Sequence, residues 1–241
     1  MYFMGRAMNL HIVLDTNNDY VFDKENLLST PETINIAGKE IIHYWLEWAR
    51  HKSYNTLYIY SARSIIDNKK NEMLQDLYGV KIVYQKPFEL HGVKFDKDVY
   101  QGMGIFLDSG EYHYFKSLDD VFVLEQELIH KPLKYCALVG YGADDAIQVG
   151  KNVYIHKSVK FSGAVVIGDN CIIEKDVEIE NSVISRGCLI KQRSIIKKSH
   201  IDQNIHMNMG LSLNKKALFE SSIYDMMKKE SYSHEGLCVK H

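Results

Sequence analysis

The chain has 241 residues, 46% of them hydrophobic and 25% charged, and its 29 Lys and Arg against 31 Asp and Glu give a formal net charge of −2. That apolar content excludes wholesale disorder, and the charge balance excludes a dedicated nucleic-acid binder, which would carry a basic excess. No apolar run reaches membrane-spanning length, the first residues lack a signal core, and four scattered cysteines with no CxxC pair make no disulfide scaffold, so a cytoplasmic chain with no membrane partner is expected.

In chain order, residues 10–15 (LHIVLD) read as a buried strand. Beyond it Asp15, Asn17, Asp19 and Asp23 fall at the spacing of calcium-loop ligands, which makes them a candidate metal site. Tyr20 stands where that turn wants glycine, and Asn26 where the bidentate Glu would be. Residues 38–50 put Ile41, Ile42, Trp45, Trp48 and Ala49 on one helical face, the tryptophans as core. Residues 56–61 (TLYIYS) are a second strand, 68–78 a helix stopped by Gly79, and 80–84 (VKIVY) a third strand. Strand and helix in alternation imply a parallel sheet with right-handed crossovers. The stretch 85–114 leaves room for an extra hairpin, and Ser117 opens a helix that runs to His130.

From Val149 onward a six-residue beat takes over, with lead positions Val149, Ile155, Phe161, Ile167, Ile173 and Ile179 and inner partners Val153, Val159, Val165, Cys171, Val177 and Val183. Turn residues such as Asn152, Gly163, Asn170 and Asp176 fill the polar slots between them. A short strand, a corner of about 120° and another short strand close a three-sided parallel β-helix. After Ile179 the register slips by one, to leads Ile184, Ile190 and Ile196 and inner partners Cys188, Ser194 and His200, so the repeat spans about 147–205 in roughly three coils. Lys191, Arg193, Lys197 and Lys198 form a small basic cluster on a solvated face. Residues 214–230, apolar at 218, 219, 223, 226 and 227, have helical spacing and are expected to cap the last coil. The expected organisation is an α/β domain over 1–140, a β-helix over 141–210, and a C-terminal helix and tail over 211–241.

This arrangement resembles the sugar-1-phosphate nucleotidyltransferases (nucleotide-sugar pyrophosphorylases). Pro31-Glu32-Thr33-Ile34-Asn35-Ile36-Ala37-Gly38-Lys39-Glu40-Ile41-Ile42 is similar to that family's P-K-x-L…x-G-K-P-[LIM]-[IL] segment, and the coils are similar to the β-helices attached to those enzymes. The resemblance implies a short Rossmann-like, nucleotidyltransferase-like α/β domain, a left-handed wind for the β-helix, and a role in nucleotide-sugar or polysaccharide metabolism. It places Gly38 and Lys39 beside a nucleotide or sugar phosphate, and makes Asp15 and Asp108 the carboxylates for any Mg²⁺-dependent transfer. Two departures weigh against full turnover. Leu14-Asp15-Thr16-Asn17-Asn18-Asp19-Tyr20 replaces the family's glycine-rich phosphate loop, and Glu32 reverses the charge of the family's Lys.

The coil half also resembles the hexapeptide acyltransferases, which use a histidine as general base with acyl-CoA; His156 and His200 are the histidines of that second reading. The extended loop such enzymes carry is absent. A non-catalytic scaffold is the third reading. In all three the flat coil faces favour a homo-oligomer, trimer or dimer.

Overall fold

The computed structural model describes residues 8–14, 34–61, 68–86, 98–136, 146–219 and 222–233. The first half comprises β1 (Asn9–Val13), β2 (Asn35–Ile36), β3 (Lys39–Glu40), α1 (Ile41–His51), β4 (Thr56–Tyr60), α2 (Asn68–Tyr78), β5 (Lys81–Gln85), β6 (Val99–Gln101), β7 (Gly104–Phe106), β8 (Tyr112–Tyr114) and α3 (Leu118–His130). Strands β5, β4, β1 and β6 lie side by side in that order, all parallel. Leu10, Ile12, Leu57 and Ile59 turn one face of this sheet into a core with α1, which buries Ile41, Ile42, Trp45, Trp48 and Ala49 as its periodicity predicts. The Trp45 indole donates to the Gly104 carbonyl at 2.7 Å, and Trp48 stacks on Phe106 with centroids 4.7 Å apart. The expected extra hairpin is β7–β8. Ser117 caps α3 by accepting the Asp120 amide.

One boundary differs. The helix expected from residue 38 starts at Ile41, because β2 and β3 pair as a two-residue hairpin. Ala37 and Gly38 form its turn with φ of 50° and 78°. Two successive positive φ values are the mark of a type I′ turn, where Asn-Gly is preferred. Ala37 sits there against a left-handed cost of about 1–2 kcal/mol.

The second half continues with β9 (Ile147–Val149), β10 (Tyr154–Ile155), β11 (Lys160–Ile167), β12 (Ile172–Ile173), β13 (Glu178–Ile184), β14 (Leu189–Ile190), β15 (Ile195–Lys197), β16 (His200–Ile201), β17 (His206–Met207), β18 (Ser212–Asn214) and β19 (Lys216–Leu218). Every pairing among them is parallel, coil on coil, and β10, β12, β14 and β17 stack as one four-stranded side. Ile155, Ile173, Ile190 and Met207 form one inner ladder of that coil, and Ile179, Ile196 and Leu213 another. The corners are ladders too: Asn152, Asn170, Gly187 and Asn204 all hold positive φ, and the Asn152 amide donates to the Asn170 carbonyl oxygen at 2.9 Å.

The single slip expected after Ile179 recurs in every later coil. The side from Ile179 to Ile184 is one residue short, and so are those from Ile196 to Ile201 and from Leu213 to Leu218. The repeat therefore runs to Leu218, beyond the expected end near 205. The short side also overturns two inner assignments. Ser182 and Ser199 occupy the inner slots, where their hydroxyls donate to the Glu180 and Lys197 carbonyls at 2.7 and 2.6 Å. Val183 and His200 point outward, because the corner that follows sets which side chains turn in.

The C-terminal helix expected over 214–230 does not form among the described residues, 214–219 and 222–230. Those residues finish the coil as β18 and β19, then fold back antiparallel as β20 (Ser222–Asp225) and β21 (Glu230–Ser233). Ile223 closes the inner core, while Phe219 and Tyr224 pack toward α3. An open last coil would leave its strand edge and apolar core to water, and a reversed strand covers both.

The outer row Val166, Val183, His200 and Ala217 seats α3, so the coil and the α/β half share one hydrophobic cluster. The final hairpin is locked by Asp225, which pairs with Lys216 at 2.8 Å and accepts the Met227 and Lys228 amides. The bond from Lys216 holds the Asp225 carboxyl down at about 2. A depressed carboxyl stabilises the fold above its free value and loses that contribution as pH falls through the folded one. Asp225→Asn should therefore lower Tm at pH 7, and the gap to the parent should close as melts are taken from pH 4 down to about 2.

Candidate functional site

A cleft of about 270 Å³ opens where the β2–β3 hairpin and α1 meet the first corners of the coil. Asn35, Gly38, Lys39, Glu40 and His43 form one wall, Tyr78 from the end of α2 stands beside them, and Asp169 and Arg186 come from the coil. The hairpin turn brings Gly38 and Lys39 to its edge, and the start of α1 aims Glu40 and His43 inward.

Charge in the cleft is nearly balanced. Glu40 is only 5% exposed. Its carboxylate does not cap α1; it takes Lys70 at 2.6 Å and Arg186 at 3.4 Å. Lys39 turns its ammonium to Glu47 at 2.6 Å, with the Cys136 sulfur at 3.3 Å. Burial pushes the Cys136 thiol far up, so it stays protonated beside that lysine. His43 shares a 2.7 Å hydrogen bond between Nδ1 and the Tyr78 hydroxyl. Burial lowers its pKa to about 4, opposed by Glu40 and aided by Lys39, Lys70 and Arg186. The imidazole is therefore neutral at pH 7, able to donate or accept but carrying no charge. Asp169 accepts the Lys151 amide at 2.6 Å, which fixes its carboxylate on the corner. The set offers neutral and charge-assisted hydrogen bonds to a polar ligand, with the exposed Arg186 as its most accessible cation.

Of the residues singled out in the sequence, Gly38 and Lys39 line this cleft. Asp108 sits in the β7–β8 turn, where Oδ1 accepts the Lys134 amide at 2.8 Å. His156 stands at a coil corner with Nδ1 2.9 Å from the Ser158 hydroxyl. His200 is 2% exposed and pairs with Glu125 of α3 at 2.9 Å, so no substrate reaches it as a general base would require. Asp15, Asn17, Asp19 and Asp23 lie outside the described residues, among which no group of three His, Cys, Asp or Glu gathers to hold a metal. Cys171 and Cys188 are buried rungs whose thiols donate to the Ser185 and Asp202 carbonyls. Of the basic cluster, Lys197 pairs with Glu180 at 3.3 Å on a coil face. His43, Tyr78 and Arg186 gave no signal in the sequence, since nothing in their spacing marks them as neighbours.

No protein-family model matches the chain. A stretch of 62 residues, 26% of the chain, is 36% identical to the bifunctional protein GlmU of Geotalea uraniireducens (strain Rf4). The match spans 14% of that protein's length. Among solved structures, the acetyltransferase domain of PglB from Neisseria gonorrhoeae FA1090 in complex with acetyl coenzyme A aligns over 82% of this chain and 71% of its own, at 7% identity and a TM-score of 0.27. The same domain in a second structure aligns over 80% and 70%, at 6% identity and a TM-score of 0.25. Among the described residues no helix is long and apolar enough to cross a membrane.

A histidine whose folded pKa lies below its free value costs stability as pH falls between the two. The His43 resonance should titrate near 4 in an NMR pH series, with the fold weakening from pH 6.5 downward; a midpoint near 6.5 would place the ring in water.

Proposed function

We propose that this chain is a divergent, sugar-phosphate nucleotidyltransferase-like protein of nucleotide-sugar or polysaccharide metabolism, which holds a nucleotide sugar or sugar phosphate in the junction cleft without full turnover. The observation that carries this reading is the Ala37–Gly38–Lys39 turn. It is the segment most similar to the nucleotidyltransferases, and it edges a polar cleft that the coil completes with Arg186 and Asp169. The engagement of Lys39 with Glu47 supports binding without transfer, since that ammonium is already neutralised. Asp15 and Asp108 are the carboxylates that would hold Mg²⁺ in this reading, and the Asp108 carboxylate accepts the Lys134 amide.

The coil is taken as left-handed, after the hexapeptide proteins it resembles, and the chain as cytoplasmic. Its three sides differ. One is covered by α3; one carries the ion pairs Lys160–Glu178 and Lys197–Glu180; the third presents Tyr154, Ile172, Leu189 and His206 in register, with Tyr154 and Ile172 exposed. A flat apolar ladder on a repeated scaffold suits a second copy of itself, so a dimer or trimer through this side belongs to the proposal.

Thermal shift tests the reading. UTP, dTTP, GTP and CTP with Mg²⁺, and a UDP-sugar, are run against acetyl-CoA. A ligand at about 100 times its Kd should raise Tm by about 5–10 °C. Arg186→Gln should abolish the shift while the fold is kept, because Lys70 still pairs the buried Glu40 carboxylate at 2.6 Å. Stabilisation by acetyl-CoA alone would favour the acyltransferase reading, and none by either class would favour a scaffold.

A further inference from the structure

Glu125 is not among the residues lining the junction cleft and is closed to solvent, yet its carboxylate joins three elements that are distant in sequence. It projects from α3 at 0% exposure. Its Oε1 accepts the Ala37 amide at 2.7 Å, and its two oxygens lie 2.9 and 3.1 Å from His200 Nδ1 on the outer face of the coil. The ring of His200 is packed by Phe122 and Phe219, so neither partner can be replaced by water. Burial alone disfavours the imidazolium, but the Glu125 carboxylate outweighs it, and the pKa of His200 is raised. A second tie runs in parallel from the same hairpin, where the Asn35 amide donates to Asp202 at 3.3 Å.

The atom Glu125 grips is the informative one. Ala37 stands in the first central position of a type I′ turn, where Asn, Asp or Gly is preferred, and it has no side-chain oxygen to support a left-handed conformation. A buried, charge-assisted bond to its amide supplies what Asn would have supplied locally. The same carboxylate is fixed in turn by the coil. Arg186, across the cleft, follows directly from β13, which pairs with the strand that carries His200.

We propose that Glu125 is a positioning residue for the cleft: it holds the Ala37–Gly38–Lys39 turn at a set distance from the coil wall, with His200 as its anchor. The ligand arm of this proposal rests on the cleft reading above; the turn arm does not. Two variants of similar size separate positioning from simple bulk. Glu125→Gln keeps an oxygen for the Ala37 amide, and Glu125→Met does not. Amide hydrogen exchange on the full chain is read at Ala37 and Gly38, with Ile12 and Ile196 as references in the sheet and the coil.

Glu125→Met should lose about tenfold of the protection at Ala37 beyond any change at the references, and Glu125→Gln should keep it within about twofold. With a UDP-sugar as probe, Glu125→Met should weaken binding by about tenfold. Glu125→Gln, which keeps the oxygen for the Ala37 amide, should keep binding within about twofold of the parent. Unchanged protection at Ala37 in Glu125→Met, or an equal loss at Ala37, Ile12 and Ile196, would overturn the proposal. If the parent chain binds no UDP-sugar, the cleft reading fails while the exchange data still decide the role of Glu125.

Discussion

Each coil of the β-helix bonds its backbone only to the coil above and the coil below, and that constraint sets everything else. It turns every position into a row. Inner rows become the ladders of isoleucine and valine that hold the coil together. Corner rows must all accept the same left-handed turn, so Asn, Gly and Asp recur there. Outer rows become strips of one chemical character, and the character of each strip decides what the coil can meet. The strip of Val166, Val183, His200 and Ala217 meets α3, and through it the coil and the parallel sheet are packed into one core.

That junction brings charge into a dry place. A carboxylate without water must be paired or give up its charge. Glu125 is paired on both sides, by an imidazole and a backbone amide, and Glu40 by Lys70 and Arg186. Both groups bridge the halves, where an aliphatic contact would have served packing equally well. The polar seam fixes one relative placement of turn and corner, and the cleft lies on that seam. Its chemistry belongs to neither half alone: the turn contributes glycine and a neutral imidazole nearby, and the coil contributes the guanidinium.

Much of the architecture could be read from the residues, for a physical reason in each case. The six-step beat is visible because inner rows tolerate little besides aliphatic side chains, and α1 because its buried face is wide and aromatic. The expectations that failed rested on rules that two structures satisfy equally. Apolar residues at 218, 219, 223, 226 and 227 fit one face of a helix, but they fit a folded-back strand whose Leu218 and Ile223 pair over the open coil as well. Counting inner positions from the preceding corner works for six-residue sides and fails for five, which is why Val183 and His200 were expected inside. Gly38 and Lys39 were legible as site residues through resemblance. Arg186 was not, because 146 residues separate it from Glu40, and no spacing rule reaches that far.

Coil and α/β half unfold as one unit, because the outer row of the coil is part of the core of the other half. Both tryptophans, Trp45 and Trp48, lie in the α/β half, so their fluorescence reports that half alone. Hydrogen exchange at Ile190 and Ile196 reports the coil. Followed through a urea titration, the two probes should give coincident midpoints and a single transition. Two separated transitions, with the coil surviving the loss of the tryptophan signal, would contradict it.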